Sequence, residues 1–332
     1  MTSMVEYWTA IGNIDCIHRH QQTSVSPPSI AFTGNFPVDY RSACGALGVL
    51  PHPKLVPTRI DDNNDAIQVF GFEFDLGTAA ALTLCLPSCR RISTLQFLNA
   101  GLTADVIRLL ATAIPQSAVV RLHLDWNPIS NHDALVGLVG PNSPLQFLNL
   151  RGNRLTDGAI QPILSAIADG GQLRVLNLSS NRITSSSCAA IANILRQDRT
   201  IISLSLSHNS ISDDGLIEIL SALVPFPLDP AEAKLAKKFL PRGKLSTGQV
   251  GCLGNNVLKN LSCAFAGITD RGVSAAVATL LENTTLARLA FTNNTRISDT
   301  IVAELRNHGR ICLDSPAPSV FPDDDGLDQA ES

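Results

Sequence analysis

The chain has 332 residues, 45% hydrophobic but only 5% aromatic, with a net charge of −4 and a pI near 6.0. Its core must therefore be largely aliphatic, and its charge gives no reason to expect nucleic acid or an anionic membrane as a partner. The longest mostly apolar run, Leu76 to Pro87, is far too short to span a bilayer.

Taken from the start, residues 1–37 combine an apolar helical stripe (Met4, Val5, Trp8, Ile11) with the Ser/Pro-rich run QQTSVSPPSIAF. They are expected to form a partly extended arm against the rest of the chain or a partner. Glu6 and Asp15, with no apolar segment between them, do not read as a secretory leader. Residues 38–60 predict a cap: one helix ending near Gly48, then a Pro-rich extended lead-in that covers an exposed core edge.

From there an eleven-residue phrase recurs. LQFLNLRGNRL, LRVLNLSSNRI and IISLSLSHNSI begin at Leu145, Leu173 and Ile201, 28 residues apart each time. The template is L-x-x-L-x-L-x-x-N-x-L. Two copies precede these three, beginning at Ile92 and Val119, and two follow, beginning at Leu258 and Leu286. A degenerate first copy is read at Ile67, Phe70 and Phe72. Positions four and six should point inward from a short strand, with positions one and eleven closing the turn. The Asn at position nine, namely Asn127, Asn153, Asn181, Asn209 and Asn294, is expected to bond turn backbone groups of its own and the neighbouring coil. An amphipathic helix follows each turn, with Thr103, Thr156, Thr184, Ser212 and Thr269 placed as N-caps.

The pattern L-x-x-L-x-L-x-x-N-x-[LI]-[TS]-[DS] followed by a helix resembles the ribonuclease-inhibitor type of leucine-rich repeat over about residues 60–310. That resemblance implies an α/β solenoid of about eight coils, with parallel strands on a concave face and helices on a convex one. Within the type, RGNRLTDGAI, SHNSISDDG and an insertion entered through LSALVPFPL are most similar to ciliary and axonemal members.

Some positions depart from the pattern. Ala100 and Ala266 replace the turn Asn, and Pro162 falls inside a helix, where it removes a hydrogen bond. The step from Ile201 to Leu258 is 57 residues, one period plus an insertion, placed at residues 225–253. There Asp229, Pro230 and Glu232 form a clean helix start, and Lys234, Lys237, Lys238, Arg242 and Lys244 make the segment basic. It is either a solvated helix that punctuates the solenoid or a contact for an acidic partner; the ciliary resemblance points to a tubulin surface. Residues 311–332 read as an acidic, disordered tail.

Positions three, five and seven of each strand should line the concave face. Chemistry concentrates in the third and fourth copies, at Arg121, His123, Asp125, Phe147, Asn149 and Arg151, with Trp126 beside them. Arg and Trp are the types that anchor interfaces, so this set is the candidate partner site. The plainer reading is a mutually satisfied polar patch, or one covered by the N-terminal arm. His123 and Asp125 lack a nucleophile and an oxyanion hole, and strand spacing puts them roughly 7 Å apart. Cys16, His18 and His20 have no fourth ligand at a known spacing, and Cys85 and Cys89 read as core. Gly243 to Ser246 lacks the earlier Gly of a phosphate loop. Neither cofactor nor metal is expected.

The eight cysteines, without paired spacing, read as reduced thiols of a cytosolic protein. On that reading the Asn-x-Ser/Thr sites at Asn177, Asn260, Asn283 and Asn293 carry no glycan. The expected function is a non-catalytic protein–protein scaffold or adaptor in a cytoskeletal assembly such as the ciliary or flagellar axoneme. The alternative is a regulator of an enzyme, a small-GTPase activator or an inhibitor of the same repeat type.

Overall fold

Each copy of the template folds as one coil: a short strand, a tight turn and a helix that carries the chain back. The computed structural model describes residues 30–56, 65–227, 242–244, 250–306 and 308–313, with only the backbone for 242–244 and 250. Among these residues, nine parallel strands form one sheet: β1 (Ala66–Phe70), β2 (Thr94–Leu98), β3 (Arg121–His123), β4 (Phe147–Asn149), β5 (Val175–Asn177), β6 (Ser203–Ser205), β10 (Asn260–Ser262), β11 (Arg288–Ala290) and β12 (Ile311–Cys312). Register is set by the fourth position: Leu122, Leu148, Leu176, Leu204, Leu261 and Leu289 pair in sequence and are buried. A one-residue slip would turn that leucine row outward, so the apolar pattern locks the stack. Helices cover the inner side of the sheet, and from Phe36–Leu47 through Asp270–Glu282 they pack on their neighbours in the stack.

The degenerate first coil needs correction. Ile67 pairs with Leu95 and Val69 with Phe97, so Ile67 occupies position four and Val69 position six. Phe70 and Phe72, read as inward residues, are each 45% exposed. The alternation that decides this is Ile67 and Val69 in, Gln68 and Phe70 out.

Two side-chain ladders tie coil to coil. At position nine, Asn181 Oδ1 accepts from Leu155 N at 2.9 Å in the preceding coil, while its Nδ2 donates to Leu150 O, Leu178 O and Ser179 O. Asn127, Asn153, Asn209 and Asn294 make the corresponding bonds, accepting from Ala100, Asn127, Ile183 and Ala266 N respectively. One amide thus satisfies donors and acceptors that the turn strands away from water. Ala100 and Ala266 are served from the following coil, by Asn127 and Asn294. What they lose is the bond back: Ala266 reaches the coil before it only through its carbonyl, which accepts from Ser212 N.

The second ladder was not foreseen. It uses the acid after the cap residue. Asp157 accepts from Thr184 N (2.9 Å), Thr184 Oγ1 (2.7 Å) and Ser187 Oγ (2.5 Å) of the next coil. Asp213 does the same for Thr269, and Asp270 accepts from Ser298 N. Close approach of neighbouring helices makes this reach possible. A Cβ on Gly272 would run into the Asp213 carboxylate, and one on Gly215 would lie 2.6 Å from Cys188 Sγ. Burial raises the Asp157 carboxyl, but its bonds from Ser187 and Thr184 more than offset this, leaving it below the ordinary aspartate value.

Of the expected caps, Thr103, Thr184 and Thr269 accept a backbone N–H at a helix start. Thr156 makes no such bond. Ser212 sits inside its helix at φ +58° behind Ile211, in the one coil whose turn faces Ala266 instead of an Asn. Pro162 lies within the helix Asp157–Ala168, which continues past it.

The solenoid's ends also differ from the sequence boundaries. The cap helix Phe36–Leu47 starts at Asn35, whose side chain accepts from Val38 N, and stops at Gly48 at φ +64°. At the other end, β12 extends the sheet past residue 310 into what read as tail, because Arg310 bonds the carbonyls of Leu280, Asn283 and Leu286 and seats the strand. The insertion leaves the stack intact, since β6 pairs directly with β10. Its described part is a separate antiparallel sheet of β7 (Phe226–Pro227), β8 (Arg242–Lys244) and β9 (Val250–Cys252), in the order β7-β9-β8.

Replacing Asn181 by Ala should lower unfolding free energy by about 1–3 kcal/mol, because buried backbone groups lose their partners; a denaturant melt within error of the parent would contradict this. Because the Asp157 carboxyl is depressed, its contribution is complete above the unfolded value of about 3.9 and is lost as pH falls through the lower folded value. Asp157→Asn should therefore flatten the acid limb of stability against pH, and an unchanged limb would refute the second ladder's role.

Candidate partner-binding surface

In-register parallel strands stand about 4.8 Å apart, so side chains at odd positions of successive coils, including those two places apart along the strand, come into contact. The consequence at the third and fourth coils is dense contact. The His123 ring stacks on Phe147 with centroids 4.5 Å apart. Asn149 Nδ2 donates to Asp125 Oδ1 at 2.8 Å, and Asn149 Oδ1 accepts from Arg151 N. His123 Nδ1 lies 4.0 Å from Asp125 Oδ2, an ion pair when the imidazole is protonated. The side chains lean together and close the roughly 7 Å expected from strand spacing alone.

Four of the seven candidate contact residues lie within this arrangement. His123, Asp125, Phe147 and Asn149 are buried. Their polar atoms are engaged, and they act as internal structure of the strand face. Arg121 remains exposed and Arg151 half-exposed. The serine copies continue the same pattern: Ser179 Oγ meets Ser205 Oγ at 2.6 Å, and Ser207 Oγ meets Ser262 Oγ at 2.8 Å.

Further exposed chemistry lies just past the strands, three residues beyond the ends of β3 to β6, β10 and β11. Among the described residues, position eight is left-handed in eight successive coils: Gly71, Asn99, Trp126, Gly152, Ser180, His208, Phe265 and Asn293 have φ from +46° to +72°. Gly and Asn adopt this region readily, whereas a bulky residue there is disfavoured by roughly 1–2 kcal/mol. Trp126 is nevertheless 44% and Phe265 48% exposed at this position. The Trp126 ring lies across Gly152, where a Cβ would sit 2.5 Å from Trp126 Cδ2, and Arg151 Cζ is 5.9 Å from the ring centre. Phe265 stacks on His208 at 4.2 Å. Eighth positions of neighbouring coils therefore touch, forming one rim at the ends of the strands. Sequence reading noted Trp126 but missed this rim, although Gly and Asn at four of the eight places were its available signal.

Of the insertion's basic residues, Lys234, Lys237 and Lys238 lie outside the described residues, as do Cys16, His18 and His20. Arg242 and Lys244 belong to β8, paired with β9. Cys44, Cys85 and Cys89 are all buried, and Cys89 Sγ is 3.9 Å from Asp39 Oδ2 of the cap helix. The hydrogen bond with Cys89 and burial both push the Cys85 thiol up. Burial, with the nearby charges of Asp157 and Glu218, pushes Cys188 up to about 12. These are core thiols. Among the described residues no cluster of His, Cys, Asp or Glu is arranged to hold a metal, and no helix is long and apolar enough to cross a membrane.

A family model described as "Leucine Rich repeat" matches residues 142–164, 173–192 and 197–220. With the stacked strand–turn–helix coils, this defines the fold as an α/β solenoid of leucine-rich repeats. Among solved structures, the chain is similar to the actin-binding site 2 of leiomodin-1, at 23% identity over 41% of this chain and 64% of that one (TM-score 0.32). It is also similar to an internalin from Listeria monocytogenes, at 15% identity over 76% of this chain and 66% of that one (TM-score 0.43). A third similarity is to the yeast Rad7–Elc1 complex, at 15% identity over 67% of this chain and 61% of the matched chain (TM-score 0.33). The chain thus spans less than two thirds of the length of each of these. No curated protein matches it.

Gly152→Ala should destabilise by about 1–3 kcal/mol, combining overpacking with left-handed strain, and should shift Trp126 emission as the ring is displaced. In a Trp126→Gly background the overpacking part should vanish and the penalty shrink. Equal penalties in both backgrounds would show that the ring does not rest on Gly152.

Proposed function

We propose that this chain is a non-catalytic scaffold or adaptor that holds other proteins in a cytoplasmic, cytoskeletal assembly such as the ciliary or flagellar axoneme. Leucine-rich repeats generally mediate protein–protein interaction. The observation that carries the reading is the division of roles along the strand face. Its inner polar groups are spent on one another, while Arg121, Trp126 and Arg151 stand at the surface on a frame stapled coil to coil. Such a surface recognises without needing to rearrange. The cytoskeletal setting is supported by the phrases RGNRLTDGAI and SHNSISDDG and by the insertion after LSALVPFPL. In this reading the basic residues Lys234, Lys237, Lys238, Arg242 and Lys244 contact an acidic partner, with tubulin as the candidate.

Tagged protein should fractionate with axonemes, and removing residues 229–244 should leave its melting temperature nearly unchanged while reducing that recruitment. A diffuse, freely soluble protein in ciliated cells would overturn the setting. Acceleration of GTP hydrolysis by a small GTPase would replace the scaffold with an enzyme regulator.

A further inference from the structure

Charge is partitioned across the solenoid. In coils three to five the template segments carry Arg121, Arg151, Arg154, Arg174 and Arg182 against one acid, Asp125, which is buried and bonded to Asn149. The helical halves of the same coils reverse the balance, with Asp133, Asp157, Asp169 and Asp198 against Arg196 and Arg199. The strand side is thus basic on a protein that is acidic overall.

The rim of left-handed turns gives this charge a pattern. Trp126 of the third coil and the His208–Phe265 stack of the sixth and seventh are exposed aromatic groups. Between them Arg154 and Arg182, at position ten of the fourth and fifth coils, are exposed and make no ion pair with another described residue. From the third coil to the seventh is four strand spacings, about 19 Å. Gly or Asn would occupy these turns without strain, as Gly71, Asn99 and Asn293 do in other coils. Half-exposed Trp and Phe are held there at the expense of the backbone, and Gly152 gives up its side chain to seat the Trp. Strain of this kind points to a use outside the fold.

We propose that this rim is the docking site for an acidic linear segment of a partner protein, with apolar side chains at either end of an acidic pair. Arg154 and Arg182 take the carboxylates, and Trp126 and Phe265 take the flanking apolar groups. About six extended residues at roughly 3.3 Å each cover the distance. The proposal deepens the scaffold reading by giving its partner a chemistry. The rim is distinct from the basic insertion, which leaves the stack between the helix Ser212–Ser221 and β10, before the strand instead of after it.

The test uses the full chain with Trp8→Phe, so that Trp126 is the sole indole. A glutamate–tyrosine copolymer is titrated in while Trp126 emission is followed. A saturable change is expected, weakened at least tenfold by Arg154→Glu with Arg182→Glu and by Phe265→Gly, with melting temperatures kept within a few degrees. Polyglutamate should bind more weakly, and heparin of equal charge should compete poorly. Absence of saturable binding, indifference to the arginine reversals, or equal competition by heparin would each overturn the rim. Failure here with axonemal fractionation intact would sink this proposal alone. Retained copolymer binding without fractionation would sink the cytoskeletal setting alone.

Discussion

The structure depends on one constraint: a solenoid coil cannot satisfy its own turn. Each coil bends sharply after its strand, and the bend strands backbone groups in the interior. The amide of the ninth-position Asn resolves this by bonding backward into the preceding coil and within its own, as Asn181 does with Leu155 on one side and Leu178 and Ser179 on the other. The Asp157-to-Thr184 bonds repeat the device at the helix starts. Coils are therefore stapled on both layers, and apolar burial between them is held in register by directional bonds.

Two consequences follow for the surface. Much of the strand face is taken up by contacts such as His123 on Phe147 and Asn149 on Asp125, while Arg121 stays exposed. The turn also places a left-handed eighth residue at the rim, both where an Asn follows it, as Asn127 follows Trp126, and where Ala266 follows Phe265. That position is free to carry residues the fold itself does not want. Trp126 and Phe265 occupy it, so the same turn that stabilises the stack displays its interaction chemistry.

Much of the architecture was legible in the sequence because period, leucine spacing and turn Asn all impose the same geometry. The 28-residue step alone implies that Leu148, Leu176 and Leu204 pair. The first coil was misread by three residues because Phe70 and Phe72 look like core, and nothing local says that Ile67 and Val69 are the inward pair until β2 fixes the register. Burial of His123, Asp125, Phe147 and Asn149 was hidden for a related reason: odd positions face outward on one strand, and only stacking encloses them. The ladder made by Asp157 and Asp213 was not legible, because their partners, Thr184 and Thr269, lie a full coil away. The rim was missed because Trp, Ser, His and Phe at position eight conceal a conformational class that Gly and Asn alone would have advertised.

Residue-resolved hydrogen exchange tests the central claim most directly. The amides of Leu155 and Ile183 donate to Asn181 and Asn209 of the next coil, while those of Leu150 and Leu178 donate to the neighbouring strand. If the side-chain ladder is what holds the stack, all four should exchange together, only through cooperative unfolding of the solenoid. Exchange at Leu155 and Ile183 faster by orders of magnitude than at Leu150 and Leu178 would mean that the turns open on their own, and would contradict the account.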